Sequence, residues 1–145
     1  MKKILIAAAA LLLALGMFAC GSGGRYNRIA EELGLDLGSA VIEVEKDTHA
    51  GFHNDGLLRM QFSTDVFNPG ETWQPLPMDE EAEPLFYGVH DDISAFMPQV
   101  QEGWYFVLDR GDPSDGPILD RPSYNFTLAL YDAEAKQLYY CALDT

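Results

Sequence analysis

Positive charge is scarce in this chain. Lys and Arg together number 9 in 145 residues, against 23 Asp and Glu, and the formal charge is −14. A chain this acidic lacks the basic face that neutralises phosphates, which argues against nucleic acid as a partner. It argues equally against a body that coats anionic lipid. Cysteine is scarcer still, with only Cys20 and Cys141. If Cys20 is lipidated, Cys141 is alone, so no internal disulfide can form and a cysteine-based zinc cluster is excluded. A lone Cys141 in an apolar strand reads as a small core residue. No Gly-x-Ser-x-Gly elbow, His-Glu-x-x-His pair or glycine-rich phosphate loop is present. Internal repeats are also missing, and aromatics are plentiful enough to argue against disorder.

The N-terminus carries a different signal. Met1-Lys2-Lys3 is a short basic start, and Ile4 to Ala19 is an uncharged run of sixteen residues. That run is short for a bilayer span and has the flanks of an export signal. Gly16-Met17-Phe18-Ala19-Cys20 resembles the lipobox of bacterial lipoproteins, a family in which the Cys becomes the new N-terminus and carries lipid. Ala19 and Cys20 fit that pattern, whereas Met17 and Phe18 stand where the family prefers Leu and a small residue. Ordinary cleavage after Ala14-Leu15-Gly16 is the alternative and would free the chain. The lipobox reading divides the chain into a signal peptide (1–19), a lipidated Cys20 with a Gly-Ser tether (20–24) and one α+β domain (25–145). Maturation at Cys20 leaves 126 residues and removes Lys2 and Lys3, so the charge becomes −16. That length makes one domain that buries about two thirds of its unfolded surface.

Periodicity predicts the elements. Tyr26, Ile29, Ala30 and Leu33 form one stripe of a short helix, stopped by Gly34. From Ala40 the period becomes two, with Ala40, Ile42 and Val44 on one face and Val41, Glu43 and Glu45 on the other. Leu58, Met60 and Phe62 make a second alternating run, and the two runs read as an antiparallel pair. Pro75, Pro77 and Pro84 forbid a long helix or central strand over 66–84. Asp91 is the expected cap of a short helix presenting Ile93, Phe96 and Met97 inward. Trp104 to Asp109 reads as a strand, and Ser123 to Tyr131 with Leu138 to Leu143 as a hairpin. The expectation is α+β: one N-terminal helix and a mostly antiparallel sheet of about five strands.

The densest polar cluster is Asp47-Thr48-His49-Ala50-Gly51-Phe52-His53-Asn54-Asp55-Gly56. Two imidazoles and a carboxylate are a common first shell for zinc, so Asp47, His49, His53 and Asp55 are candidate ligands of a divalent metal. The alternative is a structural loop in which Asp47 and Asp55 bond backbone amides. His90-Asp91-Asp92 could add ligands, and Asp112, Asp115 and Asp120 are candidate calcium oxygens without the usual Asp-x-Asp-x-Asp-Gly spacing. Trp73, Phe86, Tyr87, Trp104, Tyr105, Tyr139 and Tyr140 form either core or an aromatic groove for sugar or peptide. Arg110-Gly111-Asp112 spells an adhesion tripeptide with nothing flanking it in support. The sequon at Asn125-Phe126-Thr127 falls inside an expected strand.

The 47–56 loop, Trp73-Gln74-Pro75-Leu76-Pro77, Tyr124 to Asp132, Leu138-Tyr139-Tyr140 and Asp144-Thr145 together resemble a family of small bacterial hypothetical proteins and lipoproteins from Gram-positive anaerobes. Its usual loop reads like Asp-x-His-Gly-Gly-Phe-His-Gly-Asp-Gly, and this chain departs from it with Ala50 and Asn54. The resemblance implies export and anchoring, and carries no activity. The leading expectation is a membrane-anchored extracytoplasmic binding module, attached through lipid on Cys20, with a protein or glycan partner of unspecified kind. Two rivals stand beside it: a metal-binding protein or metal-dependent enzyme using the 47–56 loop, and an acidic immunity or inhibitor protein resting on charge alone.

Overall fold

A computed structural model describes residues 23–145. The expected signal peptide, Cys20 and the first part of the tether lie outside the described residues. The chain divides into two units between Leu35 and Asp36. In the first, helix α1 is described over 23–33. It therefore takes in Gly23 and Gly24, which the sequence assigned to the tether. Gly34 ends it with φ +63°, and Leu35 N–H bonds back to the Ala30 carbonyl at 3.0 Å. This is a six-to-one closure, which the left-handed glycine permits.

The second unit is built on one sheet. Its strands are β1 (Val41–Asp47), β2 (Gly56–Ser63), β3 (Gln74–Pro75), β4 (Gly103–Asp109), β5 (Asn125–Asp132) and β6 (Gln137–Asp144). Their order is β1-β2-β6-β5-β4-β3, and every pairing is antiparallel. Two short helices join them, α2 (Glu83–Tyr87) and α3 (Asp91–Phe96). The α+β expectation holds, with six strands rather than about five and with helices beyond the N-terminal one. The sixth strand, β3, is two residues long, too short to show a period, and Pro75 ends it on the sheet's edge, where a missing N–H costs no ladder bond.

The hairpin β5–β6 follows its alternation closely. Phe126, Leu128 and Leu130 pair with Leu143, Cys141 and Tyr139, so all six side chains share one face. β2 adds Leu57 to that face, opposite Leu143. Leu85 and Phe86 of α2, with Ile93 of α3 and Met97 at its end, close over it to make a core. Dispersion and apolar burial hold this layer, because its largest members are fully removed from water. On the opposite face Phe67 stacks on Tyr131, and Trp73 packs against both Phe67 and Phe106.

Two local expectations change. In β1, Ile42 pairs with Phe62, but Val44 pairs with the adjacent Gln61, so a bulge at Glu43 inserts one residue. Ile42 and Val44 therefore lie on opposite faces, because an extra residue flips every later side chain. The cap of α3 is His90, whose Nδ1 accepts from Asp92 N–H at 3.2 Å, while Asp91 is already the first helical residue. No helix among the described residues is long and apolar enough to cross a membrane.

Candidate functional site

The 47–56 loop extends the β1–β2 hairpin. Thr48 brackets Leu57, donating its backbone N–H to the Leu57 carbonyl at 3.1 Å and accepting the Leu57 N–H on its hydroxyl at 2.9 Å. Ala50 and Asp55 bridge once more. Gly51 and Asn54 turn the tip with φ of +82° and +55°, the left-handed region that Gly and Asn tolerate.

The structure brings Asp47 and His49 together and adds Asp144 and Arg110, which the sequence had not tied to this loop. His49 Nδ1 lies 2.6 Å from Asp47 Oδ1, and Nε2 lies 2.9 Å from Asp144 Oδ2 at the end of β6. The other oxygen of Asp144 meets Arg110 Nη1 at 3.0 Å. Arg110 also donates from Nη2 to the carbonyls of Phe126 and Leu143. Both imidazole nitrogens thus face acceptors, so full satisfaction requires the doubly protonated ring. Burial pulls the His49 pKa down, but its hydrogen bonds to Asp47 and Asp144 and their negative charges outweigh it, and the pKa is raised. The array is a clasp that pins the loop to the last strand.

This geometry does not gather the four expected metal ligands. Each nitrogen of His49 already faces a carboxylate. His53 and Asp55 are exposed at the tip and take no part in the clasp. Among the described residues no group of three or more His, Cys, Asp or Glu side chains is placed to hold a metal ion. Several other candidates have structural employment. Asp112 accepts from Ser114 N–H, His90 caps α3, and Arg110 of the tripeptide serves the clasp. Trp73, Phe86 and Tyr140 are core. Cys141 is fully buried, and burial pushes its thiol up to about 12 against the pull of Arg59.

The raised His49 pKa has a sign. A protonated ring is favoured by the fold, so the clasp contributes its full stability below the unfolded value near 6.5 and loses it as pH rises through the folded value. Melting temperature should therefore fall between mildly acidic and alkaline pH, and His49→Gln should flatten that dependence. A variant with the same slope as the native chain would show that another group carries it.

A cleft of about 780 Å³ lies elsewhere, where Asp79 to Leu85, β4 and the turns after Asp112 meet. Tyr105 and Val107 alternate onto it from β4, and Leu85 and Ile118 complete an apolar wall. Arg121 staples the far side. Its Nη1 and Nη2 each lie 2.7 Å from an oxygen of Asp109, and Nε donates to the Gly116 carbonyl at 2.9 Å. Such a two-pronged pair fixes direction as well as distance. The hydrogen bonds from Arg121 hold the Asp109 carboxyl below its ordinary value. Asp79 Oδ1 accepts from Ala82 and Glu81 N–H, and Oδ2 from the Tyr105 hydroxyl at 3.1 Å. The Ala82 amide is the largest influence keeping Asp79 ionised.

The expected sites did not include this cleft. Its sequence signals are slight: Tyr105, one of the aromatics of the candidate groove, and Arg121, a cation in a stretch rich in Asp, Gly and Pro. Asp144 and Arg110 gave less, because nothing local ties either to a loop so distant in the chain. No family model, curated protein or solved structure matches the chain.

Proposed function

We propose that the chain is a lipid-anchored extracytoplasmic binding module whose ligand seat is the cleft beside β4. The observation that carries the binding role is the cleft itself. Its volume falls in the range of small-molecule sites, and it joins an apolar wall to a few fixed polar groups. Its polar groups are held before any ligand arrives, Asp109 and Arg121 by each other and Asp79 by three donors. Such preorganisation lowers the entropic cost of binding. The basic start, the apolar run, Cys20 and the lipoprotein resemblance support the anchor. Acyl chains contribute about 0.8 kcal/mol per buried CH₂, so two or more hold a protein stably.

Two measurements test the two halves. The native chain should fractionate with membranes and Cys20→Ala should not; a Cys20→Ala chain that stays with membranes contradicts the lipid anchor. The released chain, labelled with ¹⁵N, should shift its Tyr105, Val107 and Ile118 amides when titrated with tryptophol, a neutral indole. A titration that moves none of them removes the seat.

A further inference from the structure

We infer that the cleft selects an amphipathic organic cation: an amine, primary to quaternary, on an apolar body. This rests on the cleft being a ligand seat and adds what the seat recognises.

The argument is an inventory of donors and acceptors. An anion or a neutral acceptor entering the cleft needs a donor. The strongest one, Arg121, already donates from all three nitrogens, to Asp109 and to the Gly116 carbonyl. The Tyr105 hydroxyl is given to Asp79. The amides of Glu81 and Ala82 are given to the same carboxylate, and Gly116 N–H bonds the Pro113 carbonyl. Capturing an anion on any of these donors would mean breaking a bond, at a cost that includes an orphaned partner, which leaves only the exposed, uncharged side chains of Thr72 and Gln74 as further donors along the lining.

Acceptors are in surplus. Four carboxylates line the cleft, those of Asp79, Glu80, Glu81 and Asp109, and Arg121 is the one cation among the lining residues. Arg121 neutralises Asp109. That leaves Asp79, held ionised by its amide bonds, with Glu80 and Glu81. The remaining charge is therefore negative and lies at one rim, while Leu85, Val107 and Ile118 offer apolar area beside it. A ligand that satisfies both must carry positive charge at one end and an apolar body at the other.

A bare metal ion fits poorly. Among the described residues no three carboxylates converge as metal ligands. A hydrated metal ion would also leave the apolar wall unused. An organic cation suits a dispersed set of acceptors, because its charge is spread over several N–H or N–CH₃ groups.

The test uses three probes that share one body and differ in the head: tryptamine, a cation; tryptophol, neutral; and indole-3-propionate, an anion. Each is titrated into the full chain released by Cys20→Ala, with amide shifts read at Tyr105, Val107 and Ile118. Tryptamine should bind about tenfold more tightly than tryptophol, as several partly exposed attractions add, and indole-3-propionate most weakly. The preference should shrink with salt. A Glu80→Gln, Glu81→Gln double variant changes only exposed side chains and should keep the fold. It should lose most of the tryptamine preference while tryptophol affinity stays the same. Equal binding of all three probes at these amides overturns the cationic selectivity and leaves the seat standing. A preference for tryptamine that survives the double variant also overturns it. If no probe moves these amides, the seat and the selectivity fall together.

Discussion

Phe126→Ala should lower unfolding stability by about 3–5 kcal/mol, the cost of emptying a fully buried aromatic site. Phe126 is 0% exposed and lies in a cross-strand row with Leu143 and Leu57, under the layer that includes Phe86 and Ile93. Strands flank it on both sides, so the backbone cannot collapse into the gap. The loss is a large share of the 5–15 kcal/mol that holds a typical domain. Urea denaturation should show a lower midpoint with an unchanged slope. Phe126→Leu keeps most of the volume and should cost clearly less. If Phe126→Ala cost under about 1 kcal/mol, the site would have to repack freely, against the density of ordinary cores.

Gly56→Ala should cost about 1–3 kcal/mol by forcing backbone apart. A methyl group at Gly56 would stand 2.5 Å from the His49 backbone nitrogen and closer still to its Cα. Neither can swing away as a flexible side chain could. The loop must shift, and His49 would then leave Asp144. Its titration, followed by NMR of the ring protons, should move back toward the ordinary value near 6.5. Gly70→Ala is the control, since nothing lies within 4 Å of its added carbon. It should change stability by no more than about 0.5 kcal/mol. A Gly56→Ala chain with native stability and an unmoved His49 titration would mean that the close approach is not needed for the clasp.

The sequence made local periodicity legible and distant pairing not. The β5–β6 hairpin is readable because its arms alternate without interruption and meet across a short turn, where Asp132 Oδ1 accepts from Glu134 and Ala135 N–H. β1 was half legible, since nothing in Ile42-Glu43-Val44 announces that one residue will be extra. The partnership of β2 with β6 was hidden, and with it the role of Asp144. Asp47 and His49 stood out because they are neighbours in the chain. Arg110 and Asp144 complete their network from strand ends that only the folded sheet brings near. The cleft is the extreme case, as Asp79, Tyr105 and Arg121 belong to three segments with no shared pattern.

The strand order β1-β2-β6-β5-β4-β3 also dictates when the sheet can exist at all. β6 is the last of the six strands to be synthesised, and it joins β1–β2 to β3–β4–β5. Without it, β2 and β5 each lack the neighbour that β6 supplies. Both strands carry long runs of core residues, and each presents an unpaired edge. Unpaired edges of this kind are templates for pairing with other chains, so β6 is the strand whose docking removes that exposure. Closure then couples both halves at once, which makes the sheet's assembly one late, cooperative event.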